Sequence, residues 1–133
     1  MPISRSMVGF LDNAIQSHLL LKGRLRHAVL TGHAWTTPQE IACDTGCDLT
    51  RLLAGPGLDP AMRATPRVQE ITRTHSAFHA CAARILQLVN ERRIGSAERV
   101  LGVELRDISD RMNAEIAAWQ DEILTESFRR NAA

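Results

Sequence analysis

The segment HSAFH, residues 75–79, carries two histidines four residues apart. Positions i and i+4 of an α-helix lie on one face, one turn apart, so the imidazoles of His75 and His79 could both reach a single metal ion. The same spacing is common for polar side chains on a solvated helix face. The spacing alone therefore leaves both interpretations open.

Two of the histidines fall on apolar helix stripes. His75 lies between Ile71 and Phe78 on such a stripe, and His18 lies on the stripe of an earlier segment. An imidazole that is buried without a partner is costly, so each ring needs a hydrogen-bonding neighbour or a metal ion. Hydrogen-bonded core histidines and metal ligands are the two alternatives.

Cys47 adds a potential thiolate to this set. Three histidines and one cysteine would complete a tetrahedral shell around Zn²⁺. The candidate ligands are His18, Cys47, His75 and His79, which would come from three separate elements. Such a site would staple those elements together.

The elements that must position these residues are predicted to be helices. Residues 6–30 carry apolar residues at three- and four-residue steps, which is typical of an amphipathic helix. A second stretch of helical character is predicted over residues 37–53, with a weak point at Gly46. It begins with Thr37 as N-cap, Pro38 at the first position and Glu40 in a capping box.

Two further long helices are predicted in the second half of the chain. Thr65 and Pro66 start a helix that ends near residues 92–93, with Gly95 as its C-cap candidate. The last helix begins at Ser96. Its apolar residues follow a near-heptad pattern: Leu101, Leu105, Ile108, Met112, Ile116, Trp119 and Ile123.

These elements predict an all-α fold, an antiparallel four-helix bundle with a short extra helix that carries Cys47. The length of 133 residues suits a single domain over residues 1–133. In the loop at residues 54–60, the final Asp-Pro pair predicts one further helical turn.

Composition and charge narrow the function classes. The net charge is +1 and the basic residues are interleaved with acids, so we expect no nucleic-acid partner. No apolar run is long enough for membrane insertion, and the first residues resemble no export signal, which predicts a cytoplasmic protein. Three cysteines in a reducing compartment favour metal ligation, redox sensing or core packing over a disulfide framework.

The order of these motifs resembles the chemoreceptor zinc-binding (CZB) domain family. The family motif H-x-x-F-H or H-x-x-x-H is matched by His75, Phe78 and His79. Its first motif, H-x-x-W-K, is matched by His18 and Lys22, with leucine in place of tryptophan.

The family's short-helix motif, C-x-L-G-x-W-L, is matched by Cys47, Leu49 and Leu53. Thr50 stands where the family has glycine, and Leu52 stands where it has tryptophan. These departures concern packing around the site and leave all four ligand positions in place. The resemblance covers most of the chain.

The resemblance implies a bacterial sensory or regulatory module in signal transduction, of the chemotaxis or cyclic-di-GMP-linked kind. It implies Zn²⁺ on His18, Cys47, His75 and His79, with Cys47 as the residue that oxidants such as hypochlorous acid modify. It also implies a homodimer. As a stand-alone module, this chain would pass its signal through the dimer interface or to a separate signalling protein.

Three other functions compete with this interpretation. An enzyme is disfavoured, because HSAFH lacks the glutamate of H-E-x-x-H and no histidine follows a glutamate by three residues. A helix-turn-helix DNA-binding regulator would place Leu49 and Leu52 in a reading helix, but that helix carries one base, Arg51. A metal-free structural or adaptor bundle predicts that chelators leave stability unchanged.

The remaining cysteines and histidines have simpler interpretations. Cys43 could act as a resolving thiol, although a half-buried small residue is the simpler expectation, and Cys81 is expected in the core. His27 and His33 are expected to face solvent, although either could substitute as a ligand. Trp119 is expected in the core. Two carboxylates, Asp44 and Asp48, are candidates to orient a metal-bound histidine.

Overall fold

A computed structural model describes residues 2–43 and 46–132 of the chain. The helices are α1 (Pro2–Thr31), α2 (Pro38–Ala42), α3 (Asp48–Ala54), α4 (Pro60–Arg63), α5 (Pro66–Asn90), α6 (Ile94–Arg99), a π-helix (Val100–Leu105) and α7 (Arg106–Ala132). The described residues contain no strand. The predicted all-α class is confirmed.

Three long helical segments form the frame, and residue contacts give their directions. His18 meets His75, and Arg92 donates a hydrogen bond to the Gly32 carbonyl, so α1 and α5 run the same way. The last segment, from α6 to α7, runs opposite to α5, as two ion pairs show: Arg67 with Glu122, and Arg84 with Glu104. The chain between α1 and α5 returns through the three short helices α2, α3 and α4.

The predicted N-caps Thr37 and Thr65 are confirmed, but the capping box at Thr37 is half formed, because the Glu40 carboxylate accepts a hydrogen bond from the Thr36 hydroxyl. The Thr37 and Thr65 side chains accept hydrogen bonds from the backbone N–H groups of Glu40 and Val68, with proline following each threonine. Asp59 caps the single turn of α4. Each cap satisfies an N–H group that the first helical turn leaves without a backbone partner.

The helical stretch predicted over residues 37–53 forms two separate helices, and the interruption includes the predicted weak point at Gly46. Helix α2 ends at Ala42, and α3 begins at Asp48. Cys43 and Cys47 both have extended backbone conformations, at φ −79°, ψ 92° and φ −85°, ψ 130°. The break lets α2 lie against α5 while α3 packs its buried Leu49 into the core.

The turn after α5 also differs from the prediction. Gly95 lies inside α6, whereas Arg92 takes the left-handed conformation at φ 63°. A non-glycine residue in this region is strained. The Arg92 guanidinium donates to the Gly32 carbonyl at 2.9 Å, which ties the end of α1 to the end of α5 and offsets the strain.

The last segment contains a π-helix that the near-heptad pattern does not reveal. One extra residue per turn shifts the register, so Val100 is buried while Leu101 is only half-buried. Four other residues of the predicted stripe are buried, Leu105, Met112, Ile116 and Trp119, whereas Ile108 and Ile123 are half-buried. Trp119 therefore lies in the core as predicted.

Polar contacts fix α7 against the other long helices. The buried Gln120 amide donates to the Val8 carbonyl at 2.9 Å and to the Asp12 carboxylate at 2.8 Å. Arg67 bridges Glu115 and Glu122, and these carboxylates raise the pKa of its guanidinium. Within the described part of the chain, no helix combines the length and apolar character needed to cross a membrane.

Candidate metal centre

Helix α5 presents two of the predicted ligands to the core. His75 and His79 are 2% and 7% exposed, and Phe78 beside them is fully buried. Their Nε2 atoms are 3.1 Å apart. The structure therefore decides the question raised by their spacing, since this pair faces the bundle interior and not the solvent.

Backbone carbonyls orient two of the three imidazoles. His18 Nδ1 lies 2.7 Å from the Ala14 carbonyl, and His79 Nδ1 lies 3.0 Å from the Ile41 carbonyl. A carbonyl oxygen only accepts, so each Nδ1 carries a proton and donates it. In a neutral ring the Nε2 atom then keeps its lone pair, which is the arrangement of metal-binding histidines.

His18 reaches the pair from α1 and is 2% exposed. Its Nε2 atom lies 3.1 Å from that of His75. The Phe78 ring packs edge-on against the His18 ring, with centroids 5.1 Å apart. Phe78 therefore limits the rotation of the imidazole that faces it.

Cys47 closes the cluster from the start of α3. Its Sγ atom lies 3.4 Å from His75 Nε2 and 3.6 Å from His18 Nε2. All four donor atoms, one each from His18, Cys47, His75 and His79, lie within 4.8 Å of one another. The described residues contain no other group of this kind.

These distances fit the edges of a zinc tetrahedron. Zn–N bonds of about 2.05 Å and a Zn–S bond of about 2.3 Å give edges of about 3.3 Å between two nitrogens and about 3.6 Å between nitrogen and sulfur. Four of the six edges are 3.1 Å for the His18–His75 and His75–His79 nitrogen pairs and 3.4 and 3.6 Å from the Cys47 sulfur to His75 and His18, and the other two donor pairs lie within 4.8 Å. The three imidazole planes are nearly perpendicular, at 84° to 90°.

The cluster favours the ionised form of its cysteine. Burial raises the pKa of the Cys47 thiol, but the three neighbouring imidazole rings and the Thr50 backbone favour the thiolate, outweigh burial and lower this pKa to about 3. A thiolate is the form of cysteine that ligates metals. The four residues could therefore hold a metal ion.

Two clefts of about 240 Å³ each flank Cys47. His18, Ser17 and Gly46 line both clefts, and His79 lines one of them. The three histidines are almost fully buried, while Cys47 is half-buried. Small solutes therefore reach the cluster most directly on its sulfur side.

The structure places the other candidate residues outside the cluster. His27 and His33 are exposed, as predicted, and the cluster forms without them. Cys81 is buried in the core, as predicted. The expectation of a half-buried Cys43 is wrong, because the break after α2 leaves that side chain exposed.

The carboxylates proposed to orient the histidines do not take that role within the described residues. Asp48 pairs with Arg51 on the surface, and Asp44 lies outside the described residues. The carbonyls of Ala14 and Ile41 orient His18 and His79 instead. Residue identity does not encode this role, because every residue carries a carbonyl. Only the position of His18 on its helix could have indicated its partner, because the Ala14 carbonyl lies four residues earlier on the same helix.

No protein-family model, no curated protein and no solved structure matches this chain.

Proposed function

We propose that this chain is a zinc-binding sensory or regulatory module. His18, Cys47, His75 and His79 would hold one Zn²⁺. The observation that carries the proposal is the convergence of these four donor atoms within 4.8 Å from three helical elements. Two of the imidazoles already have their Nδ1 protons held by carbonyls, which supports a site organised before the metal arrives.

The donor set favours zinc over other common cations. Three imidazoles and a thiolate suit Zn²⁺, whereas Mg²⁺ and Ca²⁺ prefer oxygen ligands. The near-perpendicular rings favour a tetrahedral arrangement over a square-planar one. When bound, zinc holds the cysteine as thiolate and joins the elements that supply its ligands.

We assign the site a non-catalytic role. A catalytic zinc keeps an open position for water or substrate, and four protein ligands would fill a tetrahedral shell. His18, His75 and His79 are almost fully buried, which leaves little room for a substrate beside the ring nitrogens. A role in which metal occupancy or cysteine oxidation changes the bundle is the better fit.

The sensory part of the proposal rests on the resemblance to chemoreceptor zinc-binding domains. On that basis zinc availability, oxidation of Cys47, or both would be the signal, and a homodimer or a separate signalling protein would receive it. Two features support Cys47 as the responsive ligand. It is the least buried of the four, and clefts reach it from two sides.

The helix-turn-helix alternative gains no support from α2 and α3. Helix α3 has seven residues, and its single base, Arg51, pairs with Asp48. Its Leu49 and Leu53 side chains are buried. A reading helix needs several donors along an exposed face.

Metal content by native mass spectrometry tests the proposal. The wild type, Cys47→Ala and His75→Ala are purified without added metal, with Cys81→Ala and His27→Ala as matched controls outside the cluster. We expect one zinc per chain in the wild type and both controls, and loss or weakening of that zinc in Cys47→Ala and His75→Ala. A folded wild type that takes up no zinc would overturn the proposal.

Oligomeric state is measured on the same samples. We expect the zinc-loaded wild type to have the mass of a homodimer in solution, by light scattering. A monomer at micromolar concentration would refute the proposed homodimer and would not contradict the proposed zinc site.

A further inference from the structure

The structure holds a second thiol at the edge of the cluster. Cys43 directly follows α2 and Cys47 directly precedes α3, so three residues separate the two cysteines. Both side chains line the same cleft of about 240 Å³, together with Glu40 and His79. The ligand set needs only Cys47, so the function proposed above gives Cys43 no role.

From this arrangement we infer that Cys43 is the resolving thiol of Cys47, and that a two-electron oxidant of the peroxide class converts the pair to an intramolecular disulfide. The inference rests on the proposed function only for its consequence, which is regulation of the metal site. Formation of the disulfide itself needs the two thiols and the oxidant.

Accessibility selects this pair from the three cysteines. Cys43 is exposed and Cys47 is half-buried, and both residues line one cleft that is large enough for a small peroxide. Cys81 is 7% exposed on α5, away from this cleft. Burial, with the nearby Glu104 carboxylate, also raises the pKa of the Cys81 thiol to about 11, which keeps it in its unreactive form.

Chain geometry permits the bond. A disulfide needs Cα atoms about 4.4–6.8 Å apart, and four peptide steps can span up to roughly 13 Å, so the intervening chain must turn. Cys43 and Cys47 line one cleft, so the two ends of this stretch lie on the same side of the site. A loop this short also keeps the effective concentration of Cys43 at Cys47 high.

The reaction balances in two steps. The Cys47 sulfur attacks one peroxide oxygen, the O–O bond breaks, an S–O bond forms, and the second oxygen leaves as hydroxide and becomes water on protonation. The Cys43 sulfur then attacks the Cys47 sulfur. The S–S bond forms, the S–O bond breaks, and the hydroxyl leaves as water with the Cys43 proton. Two thiols and one hydrogen peroxide give one disulfide and two waters.

The disulfide would change the site in two ways. A disulfide sulfur carries no thiolate charge, so the cluster would retain three imidazoles and lose its anionic donor. The bond would also protect Cys47 from irreversible oxidation to sulfinic and sulfonic acid, since the sulfenic acid is consumed before a second oxidant molecule attacks. A reductant would then restore the four-donor site.

Peptide mapping after oxidation tests the disulfide directly. The reduced full chain, metal-free and folded by circular dichroism, is treated with one equivalent of hydrogen peroxide, denatured, alkylated and digested with trypsin. Cleavage at Arg26 and Arg51 leaves both cysteines in peptide 27–51, while Cys81 lies in peptide 74–84. We expect peptide 27–51 to be lighter by two hydrogens and free of alkyl groups, and peptide 74–84 to be alkylated.

Three outcomes of the mapping would overturn the inference: a dimedone-trapped sulfenic acid on Cys47 with Cys43 alkylated, a disulfide that includes Cys81, or no oxidation of either thiol in the pair. The control is a sample that is oxidised in concentrated urea. In the unfolded chain the fold no longer selects which cysteines pair, so disulfides that include Cys81 should form there as well. The metal-free arm does not depend on zinc, so a protein that binds no metal would refute the proposed function and still test the disulfide.

A second variant tests the protective role in the zinc-loaded protein. We expect Cys43→Ser to bind zinc like the wild type, which separates a resolving thiol from a metal ligand. After excess peroxide and then reductant, the wild type should recover its zinc binding, whereas Cys43→Ser should lose it irreversibly. Cys81→Ser is the matched control and should recover. Equal recovery in Cys43→Ser and the wild type would refute the protective role.

Discussion

Zinc should stabilise this fold through Cys47, and removing that side chain separates the metal contribution from ordinary packing. Cys47 is half-buried and precedes α3 without a side-chain capping bond. Without metal its sulfur keeps only polar neighbours, among them His18 and His75 at 3.6 and 3.4 Å. Losing polar contacts to an ionised sulfur costs about 1.5–3 kcal/mol of unfolding free energy.

With zinc, Cys47→Ala should cost much more. A ligand that binds only the native state at 100 times its dissociation constant adds about 2.7 kcal/mol to the unfolding free energy. For a domain of this size that corresponds to a rise in Tm of about 10 °C. The wild type should show this rise in full, while Cys47→Ala should show little or none of it.

The assay is thermal unfolding by circular dichroism, in buffers that fix free zinc, compared with excess chelator. Cys81→Ala is the control, because its thiol is buried outside the cluster, and its zinc-dependent rise should equal that of the wild type. A wild type whose Tm is the same in zinc and in chelator would refute the reasoning. An equal rise in Cys47→Ala would refute the assignment of Cys47 as a ligand.

Three further measurements probe the frame around the site. Gln120→Ala should lower the unfolding free energy by about 1 kcal/mol in urea titrations, because it removes the hydrogen bonds that the buried amide donates to the Val8 carbonyl and to the exposed Asp12 carboxylate; an unchanged midpoint would contradict that tie between α1 and α7. At pH 8, iodoacetamide should modify Cys43 well before Cys81, whose raised pKa of about 11 leaves roughly 100-fold less thiolate than an ordinary thiol has. Labelling of Cys81 should accelerate as the pH rises toward that pKa, and equal rates at pH 8 would count against its burial. Thr37→Ala should remove the cap of α2, cost about 1 kcal/mol, and weaken zinc binding in a competition titration, since a carbonyl of α2 orients one of the ligands; unchanged affinity would show that α2 does not support the site.

The three histidines of the site could be predicted from the sequence, because their positions in the apolar pattern indicate burial and a buried imidazole needs a partner. A histidine on an apolar stripe must find a partner, and this requirement singles out His18 and His75 by their positions in the apolar pattern. The position of His79 follows from helical periodicity once His75 is placed. Apolar residues at three- and four-residue steps define α1, and the Thr65-Pro66 pair starts α5. These patterns predict which face of each helix is buried.

The parts that were not predictable depend on tertiary packing. The break between Cys43 and Cys47 has no strong punctuation inside it beyond Gly46, and it forms because α2 and α3 pack on different surfaces. The π-helix and the left-handed conformation of Arg92 likewise depend on contacts with neighbouring helices. For Arg92 this contact is the hydrogen bond that it donates to the Gly32 carbonyl. Local propensity is a weak guide where such contacts decide the backbone.

The four donors of the cluster differ in how firmly the fold holds them. The three histidines lie on α1 and α5, the long helices of the core, whereas Cys47 lies between two short helices. Helix α2 buries none of its side chains, yet its Ile41 carbonyl orients His79. A helix of five residues gains little from its own hydrogen bonds, so its stability must come from its contacts. Under the proposed function, a metal ion on the four donors would therefore add the most order to Cys47 and α2. Loss of the Cys47 donor would loosen them, while α3 stays anchored by its buried Leu49 and Leu53 and the long helices remain packed.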